Sequence, residues 1–235
     1  MILQANGKQS SLFQFDTPSM PEFDLSRCYT KPINYETAGR IVLDYHYAHR
    51  VPSIVVSIGM YVDDILAGVI TYGIPPVPNV QRLCGEEYRK NTLELNRLFI
   101  FDWAGRNSES WLIGQSFKWL REQYKQYFIL VSYADNGHGH YGYVYQATNW
   151  IYTGRSGERR VGYKINGHEY HNKALVNMIG SHAPDNVFKH FPNAVPLDGG
   201  AKERYVYFLG PKRQRKKMMS LLKWEILPYP KEAQP

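Results

Sequence analysis

The stretch Leu93-Glu94-Leu95-Asn96-Arg97-Leu98-Phe99-Ile100-Phe101, then Ser110 to Tyr124, then Tyr127-Phe128-Ile129-Leu130-Val131-Ser132-Tyr133-Ala134-Asp135, sets the fold. The first run, rich in leucine, isoleucine and phenylalanine, reads as a strand. In the middle segment Ile113, Phe117, Leu120 and Tyr124 recur at the spacing of one helical face, so an amphipathic helix is expected. The last run is almost wholly apolar, as a buried strand requires. Strand, helix and strand in succession place the chain among mixed α/β folds.

Upstream, Asn34 is expected to cap a helix from Tyr35, with Glu36 in its first turn and His46 near its C-terminus; Pro52 closes that element. The apolar runs 54–62 and 65–73 flank Asp63-Asp64 and predict a hairpin. Pro75, Pro76 and Pro78 mark a loop, and residues 79–92 read as irregular. Downstream of Asp135 come a loop with glycines and two histidines, a short helix over 143–149 and a strand over 150–154. Asn166-Gly167 between 160–165 and 168–172 signals a type I′ hairpin. Residues 173–200 read as turn-rich, 204–210 as one more strand, and 212–217 as the start of a basic, helical C-terminus. The order is helix, hairpin, strand, helix, strand, helix, strand, with a largely antiparallel start. The expected division is a loose arm at 1–24, a core at 25–172 and a basic extension at 173–235 packing on that core.

A chain of 235 residues with 43% hydrophobic and 21% charged residues is expected to form one globular domain with extensions. No apolar run reaches the roughly 20 residues of a membrane helix, and the N-terminus lacks a basic segment leading into a hydrophobic one. A cytoplasmic, non-membrane protein is therefore expected, and the isolated Cys28 and Cys84 suit a reducing compartment as packing residues. The net charge of +7 is uneven. Residues 1–149 hold 13 Lys/Arg against 14 Asp/Glu, and residues 150–235 hold 15 against 7. That asymmetry suits a polyanionic partner and equally a solvated basic face.

Four blocks carry a specific resemblance: Asp44-Tyr45-His46-Tyr47-Ala48-His49-Arg50; Leu95-Asn96-Arg97-Leu98; Val131-Ser132-Tyr133-Ala134-Asp135; and His140-Tyr141-Gly142 with Tyr145 through Gly154. Together, over residues 34 to 172, they resemble the Mom family of phage DNA-modification proteins, within the GNAT acetyltransferase-like superfamily. The resemblance implies a mixed sheet whose strands on either side of the central helix part to admit acetyl-CoA, with flanking helices, a β-hairpin and the basic C-terminal extension. It also implies an acetamide-type (carbamoylmethyl) group added to the exocyclic amine of adenine in double-stranded DNA, a metal, and protection of phage DNA from host restriction.

Arg106, Asn107, Ser108 and Ser110 sit where a strand leads into a helix, whose free N–H groups and positive end suit a pyrophosphate. The glycine pattern usual in the superfamily is reduced to Gly105, and Glu109 adds a negative charge. Read alone, the same residues describe an ordinary capped helix. Arg97, alone a surface charge or ion-pair partner, is placed by the resemblance beside the cofactor or the transferred group. His46, Asp135 and Tyr145, alone a hydrogen-bond network, become candidate iron ligands, a nitrogen–oxygen set without thiolate. Tyr47, Arg97 and Asp135 are the candidate catalytic residues. His138, His140, His168 and His171 read as loop or surface residues. Arg155, Arg159, Arg160 and Lys164, interleaved with Tyr152 and Tyr163, and Lys212, Arg213, Arg215, Lys216 and Lys217 are the candidate DNA contacts.

Two other functions fit parts of this pattern. A plain GNAT enzyme would acetylate a protein or small-molecule amine without a metal. A non-enzymatic anti-restriction protein would use only the basic C-terminal half to bind DNA.

Overall fold

In the computed structural model, which describes residues 23–135, 141–157 and 159–230, the chain folds around a seven-stranded mixed sheet. Edge strand β1 (Cys28–Pro32) leads into α1 (Tyr35–Asp44), whose Asn34 cap accepts a 2.8 Å hydrogen bond from the Thr37 N–H, as expected. Strands β2 (Val56–Val62) and β3 (Ile65–Gly73) form the hairpin about Asp63-Asp64. Both aspartates adopt positive φ, 46° and 68°, the geometry of a type I′ turn, which Asp tolerates better than bulkier residues. Arg27 pairs with Asp63 and the Tyr29 hydroxyl donates to Asp64, tying the turn to β1.

The short α2 (Pro78–Gln81) and a 3₁₀ segment, Glu86–Asn91, give structure to the stretch read as irregular. Then come β4 (Thr92–Ile100), α3 (Ser108–Gln123) and β5 (Ile129–Ala134), the expected strand–helix–strand triplet. Beyond it lie α4 (Tyr143–Ala147), β6 (Ile151–Arg155), β7 (Arg159–Ile165) and β8 (His168–His171), the last two joined by Asn166 and Gly167 at φ 51° and 85° in the expected type I′ turn. The stretch 173–200, read as turn-rich, falls within α5 (Asn172–Ile179), α6 (Pro184–His190) and β9 (Val195–Gly199) and their connections. Finally β10 (Glu203–Phe208) leads to α7 (Lys212–Leu221).

The main sheet runs β1-β2-β3-β4-β5-β10-β6, and only β4 and β5 pair in parallel. On one face α3 covers Ile58, Met60, Leu95, Leu130 and Tyr205. On the other, α1 packs Ala38, Ile41 and Val42 against Val69, and α7 packs Met218 against Val131 and Phe208. Strand β10, from the stretch read as an extension, lies between β5 and β6 in this sheet. A second sheet, β8-β7-β9, is inserted between β6 and β10 and closes its own core of Tyr163, Ile165, Leu175, Val187 and Ala194 with α5 and α6. After α7, Leu227 N–H donates to the Tyr152 carbonyl and the Tyr229 hydroxyl to that of Trp150, so the tail covers edge strand β6. Among the described residues no helix is long and apolar enough to cross a membrane. Of the expected arm, only Phe23 and Asp24 are described, and Phe23 packs on Gly105.

A candidate active site at the split in the sheet

The β4–β5 ladder runs from Thr92↔Ile129 to Leu95↔Ser132 and stops. Strand β4 nevertheless continues beside β3 to Ile100, and β5 continues beside β10 to Ala134. The two strands therefore part, leaving a wedge whose apex is Leu95–Ser132 and whose mouth lies between the ends of β4 and β5. This is the split expected from the resemblance.

A bulge aims the key arginine. Thr71 pairs with Arg97 but Tyr72 pairs with Leu95, so Asn96 is the extra residue. Leu95 and Leu98 both pack on the α3 side, while Phe99 packs on the α1 side, so Arg97 turns toward α1. Asn96 fixes the bulge by accepting from Thr71 Oγ1 at 2.6 Å and donating to the Ser53 carbonyl at 2.9 Å. That carbonyl rests on Gly73, where a Cβ would overlap it. Arg97 then donates from Nη2 to the Arg50 carbonyl at 3.1 Å and from Nη1 to that of Asn96 at 2.5 Å, and its Nε is buried without a hydrogen-bond partner. Burial, then Arg50, pulls its pKa down from the usual arginine value, opposed by Tyr47 and Glu94. The group stays charged.

Tyr145 closes the apex from the α3 side. Its ring is buried against Trp150 and Tyr205, with centroids 5.3 and 5.1 Å away. Ser132 Oγ lies 2.8 Å from the Tyr145 hydroxyl and 2.8 Å from the Leu95 carbonyl, bridging the point where the ladder ends. Burial pushes the Tyr145 phenol up to about 12, with the Ser132 bond opposing and Tyr47, Glu94 and Tyr205 adding to the rise. It is a neutral phenol at physiological pH.

From the opposite side come the residues at the end of α1. His46 is 6% exposed, its Nδ1 accepts from the Ala48 N–H at 3.1 Å, and its ring stacks on Tyr47 with centroids 4.3 Å apart. Tyr47 is 49% exposed, and its pKa is raised by burial first and then by Asp135, with Arg97 acting the other way. The charges of Asp135 and Arg97 thus act on Tyr47, which in turn acts on Tyr145. Asp135 pairs with Lys202 Nζ at 2.7 Å. Among the described residues no group of three His, Cys, Asp or Glu is placed to hold a metal ion.

Sequence reasoning missed three residues of this constellation. Ser132 stood inside a family block but carried no role. Glu94, a carboxylate between Leu93 and Leu95, was the one visible signal: a charge inside an apolar strand, whose field acts on Arg97 and Tyr145. Lys202 arrives from a distant segment, and no local signal could have joined it to Asp135.

The loop after β4 carries the chain to the first turn of α3. Asn107 takes φ 68° and makes no side-chain cap, so the first-turn N–H groups have no side-chain acceptor there. Ser108 is fully buried and donates to the Gly105 carbonyl at 2.6 Å, so its hydroxyl shapes the turn and does not point outward. Ser110 Oγ donates to the Asn107 carbonyl at 3.0 Å, and Arg106 is exposed.

The candidate DNA contacts separate into two places. Strand β6 runs parallel to β5 across β10, and Glu203 is opposite both Ala134 and Arg155, so Arg155 and the β7 insertion lie at the mouth end. Arg155 pairs with the buried Glu203 at 3.4 Å; Arg160 donates to the Tyr163 hydroxyl at 3.0 Å and lies 3.8 Å from Asp198; Lys164 is exposed. Arg159 opens β7. Lys212, Arg213, Arg215, Lys216 and Lys217 belong to α7, which starts at the opposite end of the sheet, past Phe208. His171 caps α5 and its Nε2 is 3.1 Å from Arg50 Nη1, His168 is exposed, and His138 and His140 lie outside the described residues. Cys28 and Cys84 are free cysteines.

A mixed sheet whose two parallel central strands part beside the central helix is the arrangement of a GNAT-like fold. The chain belongs to the Mom protein family, whose pattern it matches over residues 27–231. It is 30% identical over 197 residues to the methylcarbamoylase Mom of Escherichia phage Mu, covering 83% of this chain and 80% of that protein. Among solved structures it is similar to an N-acetyltransferase from Staphylococcus aureus Mu50 (13% identity, TM-score 0.41, 77% of this chain and 97% of that one) and to a spermidine/spermine N-acetyltransferase from Vibrio cholerae (10%, TM-score 0.44, 81% and 97%).

Proposed function

We propose that this protein is a DNA-modifying transferase that uses acetyl-CoA to place an acetamide-type group on the exocyclic amine of adenine, shielding phage DNA in the host cytoplasm from restriction. The observation that supports the reading is the split itself, which opens where Ser132 bridges the Leu95 carbonyl and the Tyr145 hydroxyl, in a chain 30% identical to a methylcarbamoylase.

The first turn of α3 offers uncapped N–H groups and a positive dipole end to the pyrophosphate, with Arg106, Asn107 and Ser110 around it. Ser108 contributes there only through its backbone N–H. Acetyl-CoA would supply the carbon unit that is transferred. Arg97, with an unpaired Nε and a rigid hold on two carbonyls, points a fixed positive charge at developing negative charge in the mouth. Asp135, steadied by Lys202, accepts the proton of the attacking amine, and Tyr47 orients that amine through its hydroxyl. Adenine's amine is hidden in the base stack, so the base must leave the duplex to reach the mouth. Arg155, Arg159, Arg160 and Lys164 would hold the flanking phosphates.

The donor chemistry of His46, Asp135 and Tyr145 fits iron, since an imidazole, a carboxylate and a phenol form a nitrogen–oxygen set. A buried phenol held near 12 ionises readily only beside a cation, and Lys202 is at present the cation on Asp135. An N–CH2 bond made from a methyl group requires a two-electron oxidant, and the terminal amide requires an ammonia-level nitrogen donor that displaces the CoA thiolate; iron held there would supply the oxidative activation at the methyl carbon that thioester attack alone does not provide. In a second reading, plain N-acetylation without a metal, the buried Tyr145 hydroxyl bonded to Ser132 would serve as a proton donor.

Acetyl-CoA binding tests the cofactor half of this function. Calorimetry is expected to show saturable binding that weakens about a hundredfold when Arg106→Ala and Ser110→Ala are combined, since two charge-assisted hydrogen bonds to the ionised pyrophosphate are removed. No heat with the wild type, or equal affinity in the double variant, contradicts the proposed pyrophosphate site.

A further inference from the structure

Between the end of α3 and the start of α7 lies an open groove of about 550 Å³, lined by Arg121, Lys125, Tyr127, Phe128, Gln214 and Arg215. It sits beside Phe128, which precedes β5, whereas the reaction mouth follows β5 at Asp135. Strand rise puts the two roughly 20 Å apart. We infer that this groove holds the phosphodiester backbone of a DNA segment separate from the one presented to the mouth. The inference rests on the DNA-modifying function proposed above.

Three observations support it. Residues 118–128 and 209–217 carry eight Lys/Arg and one acidic residue, Glu122, against near balance across residues 1–149. Three of them, Arg121, Lys125 and Arg215, line the groove, and no acidic side chain lines it. Arg121 is also preorganised, since its Nε donates to the Leu209 carbonyl at 2.9 Å and its guanidinium lies 5.9 Å from the Phe117 ring centroid. Finally, the first turn of α7 holds Lys212 and Arg213 and no acidic residue, and Pro211 provides no side-chain cap. Cations at a helix N-terminus oppose its dipole, and an anion along that end relieves both. The cations continue along a helix of ten residues, roughly 15 Å, which is longer than one phosphate and suits a linear polyanion.

The test uses the full chain with Lys125→Ala, Lys212→Ala, Arg213→Ala and Arg215→Ala combined; glutamine at the same four positions provides a second variant if alanine lowers the melting temperature. Binding to 12- and 60-base-pair duplexes is followed by fluorescence anisotropy across a salt series. For the long duplex the slope of log K against log salt should fall by up to about 3.6, at about 0.9 for each of four phosphates no longer neutralised, with the short duplex affected much less. An unchanged slope overturns the inference, as does an equal fall on both lengths, which would merge the groove with the mouth, or a preference for single-stranded RNA over the duplex. If the wild type leaves adenine unmodified and the variant still fails to hold the long duplex, the proposed function falls and this site stands. Unchanged binding by the variant of an active enzyme would sink this site alone.

Discussion

Arg97→Ala is expected to lower adenine modification by about two to three orders of magnitude, the usual effect of removing a preorganised charge aimed at the transition state. The guanidinium spans the Asn96 and Arg50 carbonyls from a bulge that turns it toward α1, and its field acts on Tyr47. Deleting it leaves the Arg50 carbonyl without that donor and Glu94 without that neighbouring cation, a stability loss of about 1 to 3 kcal/mol that a domain of this size survives. Arg97→Lys should recover stability better than activity, because a single ammonium cannot reach both carbonyls in the fixed geometry of the fork. Single-turnover nucleoside analysis beside a denaturant melt separates the two effects. A folded Arg97→Ala protein with more than half the wild-type rate would remove Arg97 from the site.

The second large effect belongs to Tyr145→Phe. The change deletes one oxygen from a buried ring and leaves Ser132 bonded to the Leu95 carbonyl, so the stability loss should be about 1 kcal/mol. Modification should nevertheless fall by about a hundredfold or more, the scale expected when a proton donor or ligand at a reacting centre is removed. Metal analysis and the visible spectrum decide which. If iron is held by His46, Asp135 and Tyr145, purified protein contains it stoichiometrically and a phenolate–iron band disappears in Tyr145→Phe. Active protein free of metal assigns Tyr145 to proton donation and favours plain acyl transfer.

Local chemistry made much of this fold legible. The 3.6-residue period of Ile113, Phe117 and Leu120, the turn formers Asp63-Asp64 and Asn166-Gly167, and the Asn34 cap all act within a few residues, and each produced the expected element. Elements defined by distant pairing were harder. Strand β1 is short, ends in Pro32 and exists through its ladder with β2, while β10 was visible as a strand but not as the neighbour of β5 and β6. Helix α5 escaped because it is capped by His171 and not by Ser, Thr, Asp or Asn, while α6 carried a start signal in Pro184 and Asp185 that is outweighed by the turn formers around it.

Within the site, the family blocks pointed to Arg97, Tyr47, Asp135 and Tyr145, but their orientation was not legible. No residue type announces the bulge at Asn96, and without it Arg97 would face α3. Ser108 reads as a phosphate contact until its hydroxyl is seen turned onto Gly105. The basic candidates proved to occupy both ends of the sheet, because α7 starts where β10 has already crossed back from the mouth.

Mass spectrometry of nucleosides from the DNA of cells expressing the protein reads substrate and chemistry together, and so bears on the proposed reaction without an intermediate step. The expected result is a new deoxyadenosine derivative carrying an acetamide-type group with the wild type and its absence with Asp135→Ala. Unmodified deoxyadenosine from cells that produce the folded wild-type protein would contradict the proposed function.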